Sequence, residues 1–434
     1  MRGMRRLDGY DVVVVGGGPG GFAAAVAAAR SGAKTLLLER EGCLGGAATT
    51  MMVCPFMPHV TSPGPGGEPR RVVNAGLFAE VTERLRARGQ TWDDVCIAFD
   101  DEYLKIVLDE MAAEAGVQVV FHAALFDAEV EGDRVRAILL AHNGGPIRAE
   151  GKVFVDGTGD ALLAAQAGAE VRFGDAQGTV MPMTTKFVVA GVDLAQAPPE
   201  RELKERCKRG PGDTPALVNT NLSTFRTKPH GRVHFNAIRV PGNTIDPFSL
   251  GRAEAEGRRR VENFVAWLRA NVPGYENAYL DKTGSHIGVR ESRRIVGDYT
   301  LTYADWKACA TFDDTVACCS YGIDIHGQKQ NQTNLQFLPP GAWYQIPYRC
   351  LVPKGLKNLL VASRSISADC EAHSSLRIMP TVMNVGEAAG YAAALALPAG
   401  DVRAVDVRAL QGKIRDAGGV LEPKGVAAEG RART

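Results

Sequence analysis

The chain has nine cysteines but no C-x-x-C pair, and no His or Cys cluster at zinc-binding spacing. These absences argue against disulfide-reductase chemistry, and no metal ion is expected. Cys318 and Cys319 are adjacent, which reads as two small buried apolar residues, not a vicinal disulfide. No apolar run is long enough to span a bilayer, and the Arg-rich start leads into a strand instead of a cleavable apolar segment. Neither a membrane span nor a secretory leader is expected, and unpaired thiols point to the cytoplasm. Charge of one sign is also missing. The net is +1, which gives nucleic acid or an anionic membrane surface nothing to hold.

What is present is concentrated in residues 11–40, DVVVVGGGPGGFAAAVAAARSGAKTLLLER. Asp11 to Val15 reads as a buried parallel strand. Gly16, Gly18 and Gly21 follow as G-x-G-x-x-G, and an alanine-rich helix begins at once. The first glycine permits a tight turn, the second lets backbone approach a pyrophosphate, and the third lets helix and strand pack closely. The helix N-terminus offers N–H groups and a positive dipole end to phosphates. A second strand, Lys34 to Leu38, ends in Glu39, about 20 residues past the glycines, where a carboxylate accepts from a ribose hydroxyl. Strand, glycines, helix, strand and acid within one short unit predict a dinucleotide site.

At 434 residues the chain is long for one core, and two intertwined domains are expected. Helical periodicity marks Leu77 to Arg88 and Tyr103 to Ala115. Strands are predicted at Val117 to Phe121, Leu125 to Glu131 and Val135 to Ala141. Asn143-Gly144-Gly145 signals a turn into a further strand. KVFVDGTGD, from Lys152, reads as a buried strand ending in Asp156, with Asp160 capping a helix or bonding a cofactor hydroxyl. From about residue 175 to 345 the pattern changes. Strands are predicted at Thr184 to Gly191 and Arg232 to Val240, and a helix at Arg252 to Asn271 whose Arg258, Arg259 and Arg260 form a solvated face. HIGVRESRRIVGDYTLT then reads as an arginine-rich strand-like run. Leu359 to Ala362 is a buried strand, and Arg377 to Thr381 leads into a helix with Gly386 and Glu387 in its first part. Val405 to Ala417 is amphipathic, and the basic end is expected to fray.

DVVVVGGGPGG with Glu39, then KVFVDGTGD, then NLLVASRSISAD and GEAAGYAAALAL, resembles the FAD-dependent oxidoreductases of the glutathione-reductase-like, two-dinucleotide-binding-domains group. GVRESRRIVGDYTLT and EAHSSLRIMPTVMNVGEAAG resemble a narrower branch of it. The likeness covers residues 8 to about 415. It implies an α/β fold: a discontinuous Rossmann-like FAD-binding domain of glutathione-reductase type with an inserted α+β substrate domain. The expected boundaries are 1–175 and 346–400 for the FAD-binding domain, 176–345 for the substrate domain and 401–434 for a C-terminal helix and tail. The resemblance implies that Gly16, Gly18, Pro19, Gly20 and Gly21 hold the pyrophosphate, and that Glu39 binds the adenosine ribose with Arg40 beside it. Leu44, Gly45, Gly46 and Thr49 would run along the diphosphate. Asp156, Gly157 and Asp160 would pack near the adenosine and ribityl parts. Gly386 and Glu387 would present a helix N-terminus to the flavin, stabilising the negative charge of its reduced form. A second G-x-G-x-x-G is missing, which argues against a dedicated NAD(P)H domain.

Electrons are then expected to pass to or from a small-molecule substrate at the flavin face, with one proton to manage. His373 is the expected acid or base, ahead of His286 and His326. Arginines would hold an anionic substrate. Of Arg290, Arg293, Arg294 and Arg377, the expectation falls on Arg290 and Arg377, with Arg290 and Arg294 sharing a strand face. Tyr344 and Tyr321 read as core or as cover for the ring. Cys43 and Cys370 lie where a covalent flavin link could form, but a non-covalent cofactor is expected. The predicted function is a dehydrogenase or oxidase of a small polar, anionic or neutral, metabolite. The alternative is a reductase of an activated C=C bond, followed by a monooxygenase and by a non-catalytic FAD-binding module. A homo-oligomer is left open.

Overall fold

Val12 to Val15 are almost fully hidden, as a β-branched run covered on both faces of a parallel sheet must be. In the computed structural model, which describes residues 3–209, 222–227, 231–327 and 333–424, they end strand β1 (Arg5–Val15). Helix α1 (Pro19–Arg30), strand β2 (Thr35–Leu38), helices α2 (Leu77–Ala87) and α3 (Asp101–Glu114) follow. Strands β3 (Gln118–Val120), β4 (Ala124–Glu131), β5 (Arg134–Ala141) and β6 (Ile147–Asp156) and the short helix α4 (Leu162–Gln166) come next. The predicted turn at 143–145 and the KVFVD strand are thus parts of one approach to β6. β3, β2, β1 and β6 lie parallel in that order, and β5 and β4 extend the sheet as an antiparallel meander. Late in the chain Leu359–Val361 returns to pair with Phe154–Asp156 of β6, beyond the stretch Ile147–Glu150 that β5 occupies. The buried Asn358 side chain seals the split, donating to Val135 O at 2.8 Å and Lys152 O at 3.1 Å and accepting from Val135 N at 2.9 Å.

A second hydrophobic core runs from Met183 to Ile287. Its antiparallel sheet contains β7 (Met183–Ala190), β8 (Ser223–Thr227) and β9 (Arg232–Val240), and helix α5 (Pro247–Asn271) precedes the last strand, β10 (Tyr279–Thr283). α5 starts five residues before the predicted position. Pro247 sits in its first turn, and the Asp246 carboxylate accepts from Ser249 N at 2.6 Å. Strand alternation splits β7 between two environments. Met183, Phe187 and Val189 join the second core, where Phe187, Phe235 and Phe264 cluster. Thr184 and Lys186 face the other way, into a cavity they share with Ser223, Phe225 and Asn236. Of the three arginines predicted to be solvated, Arg258 and Arg259 pair with Glu254 and Glu256 on the surface, whereas Arg260 also donates to Arg239 O at 3.0 Å.

Ile295, Leu301, Trp306, Val316, Ile323, Tyr344 and Ile346 lie within or beside the stretch expected for the substrate domain, and they pack into the first core. Only Arg293–Ile295 of the arginine-rich run is a strand, paired with Val171–Phe173. The run is irregular because its arginines are anchors. Fully buried Arg294 pairs with Glu291 and donates to Gly174 O at 2.8 Å and Ala368 O at 3.1 Å. A hairpin of β11 (Ile323–His326) and β12 (Thr333–Gln336) then precedes α6 (Cys370–Leu376), α7 (Met379–Ala396) and α8 (Val407–Asp416). No described helix is long and apolar enough to cross a membrane.

α1 and α7 cross at backbone contact, which the alanines and glycines of both allow. A Cβ on Gly386 would lie 2.1 Å from Gly20 O, and one on Gly390 would lie 2.2 Å from Ala24 O. Helix propensity alone favours Ala over Gly by about 1 kcal/mol. Overpacking here reverses the sign. Gly386→Ala is expected to cost about 2–3 kcal/mol, read as a lowered urea midpoint. An unchanged or raised midpoint would contradict this crossing.

Candidate active site

β1, β2, β6 and Leu359–Val361 run parallel, so their carboxyl ends reach the same edge of the sheet. The turns leaving those ends line one cleft of about 930 Å³. Gly16, Gly18, Pro19 and Gly20 come from the first turn, Glu39, Arg40 and Glu41 from the second, Gly157 to Asp160 from the third, and Ser363 and Arg364 from the fourth. Gly16 takes φ +89°, and a Cβ on Gly21 would lie 1.8 Å from Gly16 O, so the turn closes only with glycine at both positions. Gly18 caps α1 without a side chain, leaving the helix N-terminus open to an anion. A Cβ on Gly46 would lie 2.9 Å from Gly18 Cα, so the cradle between them accepts no side chain. The Glu39 carboxylate accepts from Gly17 N at 2.5 Å and Glu41 N at 2.9 Å. Burial pushes its pKa up against those two bonds.

At the far end of the cleft, Ala47, Met51, Arg364, Arg377 and Met379 are shared with a second cavity of about 1590 Å³. This one is walled by the inner face of the β7–β9 sheet and by the β11–β12 hairpin. Lys186, Lys204, Arg239, Arg290, Arg364 and Arg377 line it, and Asp324 is the one carboxylate among its described lining residues. Arg290 donates to Pro182 O at 2.7 Å and to Thr184 Oγ1. Arg377 donates to Asp324 O at 3.2 Å, and its Nη2 lies 3.6 Å from the Asp324 carboxylate. Buried Nε atoms of Arg239, Arg364 and Arg377 have no hydrogen-bond partner among the described residues. Burial and mutual repulsion push Arg290 down to about 9 and Arg239 down to about 10. Burial would raise Asp324, but the His326 hydrogen bond and the Arg377 charge hold it well below the usual carboxylate range.

A glycine cradle at a helix N-terminus, an acid at the end of the second strand, and unpartnered guanidinium nitrogens where the cleft meets a large cavity together fit a bound dinucleotide with a reactive far end. A sequence profile described as FAD dependent oxidoreductase matches residues 11–414.

The chain belongs to the FAD dependent oxidoreductase family.

It is therefore an FAD-dependent oxidoreductase enzyme, and no curated protein matches its sequence. Among solved structures it is similar to a geranylgeranyl bacteriochlorophyll reductase-like protein from Thermoplasma acidophilum, at 15% identity over 95% of this chain and 84% of that one, with a TM-score of 0.49. It is similar to the flavin-dependent brominase Bmp2, at 13% identity over 94% and 83%, TM-score 0.46. A third likeness is to p-nitrophenol 4-monooxygenase PnpA from Pseudomonas putida DLL-E4, at 13% identity over 95% and 85%, TM-score 0.45.

In this FAD dependent oxidoreductase the residues expected to hold FAD divide into those that touch the cleft and those that build it. Gly16, Gly18, Pro19, Gly20, Glu39, Arg40, Gly46, Gly157 and Asp160 line it. Leu44 packs beneath Gly17, Gly45 takes φ +101°, and Thr49 donates to Leu44 O at 2.8 Å, so these three shape the loop from behind. Asp156 is fully buried and accepts from Thr158 N at 2.9 Å and Ala164 N at 3.0 Å. That makes Asp156 an anchor of the turn and of α4. Asp160 caps nothing. Its carboxylate accepts from Ser292 at 2.6 Å and Arg364 at 2.8 Å.

Three expectations are corrected: the helix start at Gly386 and Glu387, the place of His373, and the shared face of Arg290 and Arg294. Gly386 and Glu387 lie about two turns inside α7 and outside the cleft, because Pro380 in the first turn sets the helix start at Met379. It is Met379 and Val382 that line the cleft. Glu387 instead accepts from Leu77 N at 3.1 Å and Tyr391 Oη at 3.1 Å, holding the start of α2. His373 lines neither cavity. α6 buries it one turn before Arg377, with Nδ1 unpartnered among the described residues, and burial beside Arg294, Arg377 and Arg364 keeps it neutral. His326 faces the cavity and pairs with Asp324 at 3.2 Å, whereas His286 pairs with Glu41 at the surface. Arg290 and Arg294 share no face, since the chain around 290 is not a strand. Arg290 enters the cavity and Arg294 the core, while Arg293 reaches Asp160 O at 3.4 Å. Tyr321 lines the cavity and Tyr344 is core. All nine cysteines are free, and neither Cys43 nor Cys370 lines the cleft.

Sequence reading missed Lys186, Arg239, Asp324 and Arg364. Two of them left a signal: a lysine inside the apolar strand MTTKFVVA, and the alternation Asp324-x-His326, which puts both side chains on one strand face.

Two predictions follow from these contacts. Glu39→Ala leaves two backbone N–H groups unpaired, and the FAD dissociation constant is expected to rise roughly 10- to 100-fold, measured as flavin lost on dilution. Burial raises Glu387 to about 7. Its folded form then binds a proton more tightly than the unfolded chain, so stability falls as pH rises from about 4.5 to about 7. Glu387→Gln should flatten that slope and, above pH 7, gain on the order of 2 kcal/mol over the parent, read from urea midpoints against pH.

Proposed function

We propose that the protein transfers hydride between FAD and a small polar metabolite carrying an anionic group, as a dehydrogenase or oxidase of a hydroxyl- or amino-bearing acid. One observation carries the reading: a cavity continuous with the FAD cleft, in which half-buried Arg290, Arg239 and Arg377 face Asp324, the one carboxylate among its described lining residues. Partly desolvated cations without equal countercharge are costly, and a substrate anion relieves that cost. When bound, FAD supplies hydride transfer at flavin N5. The protein's part is to hold the substrate anion through Arg290 and Arg377, to fix Arg377 through Asp324, and to keep water out. We also place the chain in the glutathione-reductase-like type. Support comes from the β1–α1–β2 unit, the β4–β5 meander and the late return of Leu359–Val361 to the sheet.

A second reading, reduction of an activated C=C bond, is favoured by Tyr321. Its phenol lines the cavity, and burial next to Asp324 keeps it protonated and able to give a proton. Fast reoxidation of the reduced enzyme by an enoate, with slow oxidation of hydroxy acids, would select it.

The test is anaerobic bleaching of the purified flavoprotein by hydroxy and amino acids and by their uncharged amides. Bleaching by acids and not by amides is expected. Arg290→Ala and Arg377→Ala should keep FAD bound yet raise the half-saturating substrate concentration about 10²- to 10³-fold. Equal bleaching by acid and amide would defeat the anion reading.

A further inference from the structure

We infer that Lys186 is the proton acceptor of this reaction, taking the hydroxyl or amino proton of the substrate as hydride leaves the adjacent carbon. The inference rests on the proposed function and adds a residue that the sequence motifs did not single out.

Lys186 sits in the middle of β7, whose eight residues are all buried. Its neighbours Thr185 and Phe187 face α5 and the second core; a Cβ on Gly257 of α5 would meet Thr185 Oγ1 at 1.9 Å. Alternation therefore points Lys186 the opposite way, and its side chain lines the substrate cavity. Lysine is among the least buried residues unless it is paired. No carboxylate pairs with Lys186 among the described residues, and Nζ donates to one acceptor, Cys54 O at 3.3 Å. A permanent ammonium is poorly served there, while a neutral amine keeps a lone pair for the cavity.

Its position relative to the anion grip suits the chemistry. Arg290 bonds Thr184, two residues from Lys186 on the same strand face. Such positions are roughly 7 Å apart, the scale of a short hydroxy acid with its hydrogen bonds. An acid held by Arg290 thus brings its hydroxyl or amino group toward Nζ. The charged and titratable groups around Lys186 are Arg290, Cys54, His234 and Lys282, the last bonded to Asp101 at 2.8 Å. Burial first, and the Arg290 charge second, push Lys186 down to about 8. A base near the working pH is the efficient one. The competing base, His326, is pushed down to about 4 by burial and is committed to Asp324.

The step balances. The C–H bond breaks and its hydrogen leaves with both electrons to FAD. The O–H or N–H bond breaks and its proton passes to the Lys186 lone pair. A C=O or C=N bond forms, so the substrate loses two electrons and the flavin gains two.

The test uses the holoenzyme in two arms. In the first, lysines are reductively methylated with ¹³C-formaldehyde and titrated by NMR, with Lys186→Arg to assign the resonance. One dimethyl-lysine titrating near 8, apart from the others at about 10, is expected, and its absence overturns the proposal. In the second, flavin reduction by the best acid is followed by stopped flow against pH. The parent rate should rise to a plateau above about pH 8. Lys186→Met should lose that rise and slow by about 10²- to 10⁴-fold, with half-saturation nearly unchanged, and methylamine should restore part of the rate. Lys186→Met reduced as fast as the parent, with the same pH profile, overturns the lysine alone. A parent flavin that no hydroxy or amino acid reduces overturns the proposed function instead.

Discussion

The Glu39 carboxylate, bonded to Gly17 N and Glu41 N, ties the turn after β1 to the end of β2, and the cleft depends on that tie. Two parallel strands bring their carboxyl ends side by side, but the loops that leave them diverge unless something joins them. A buried acid with two backbone donors does so, and Glu39 itself lines the cleft. The same logic recurs at Asp156, which holds the third turn to α4 through Thr158 N and Ala164 N. Acids that look like ligands in the sequence thus serve first as braces for the backbone that does the binding.

The two ends of the cleft differ in physical character. The first cleft combines glycine turns and the N-terminus of α1 with the charged side chains of Glu39, Arg40, Asp160 and Arg364. The second cavity is dominated by charged side chains gathered from β7, β9, the 284–292 segment, β11 and the turn after α6. Arg239, Arg290 and Arg377 gather around Asp324, and burial weakens the charged forms of Arg239 and Arg290. Under the proposed function, a bound anion relieves the electrostatic cost of such a cluster.

Much of the scaffold was legible in the residue pattern. The valine run, the glycine spacing and Glu39 located β1, α1 and β2, and alternation placed β7 and β9 within a residue or two. Arg290 and Arg377, expected to hold an anionic substrate, both line the second cavity. The failures share a cause. Gly386 and Glu387 were read as a helix start because small residues cluster there, when the cluster serves the crossing with α1 and Pro380 marks the start. His373 was favoured for lying next to Arg377 in the chain. Helical packing turned one side chain into the core and the other to the cavity.

The sequence by itself determined the dinucleotide turn, because local backbone geometry demands glycine at Gly16 and Gly21 whatever lies elsewhere. It also determined the parallel character of the first sheet, through runs that only a doubly covered strand can bury. Tertiary structure alone decided which charges share the cavity. Lys186, Arg239 and Asp324 are far apart along the chain. Their meeting follows from one face of the β7–β9 sheet being spent on α5, which leaves the other to look onto the cleft. No local pattern encodes where that second face will point.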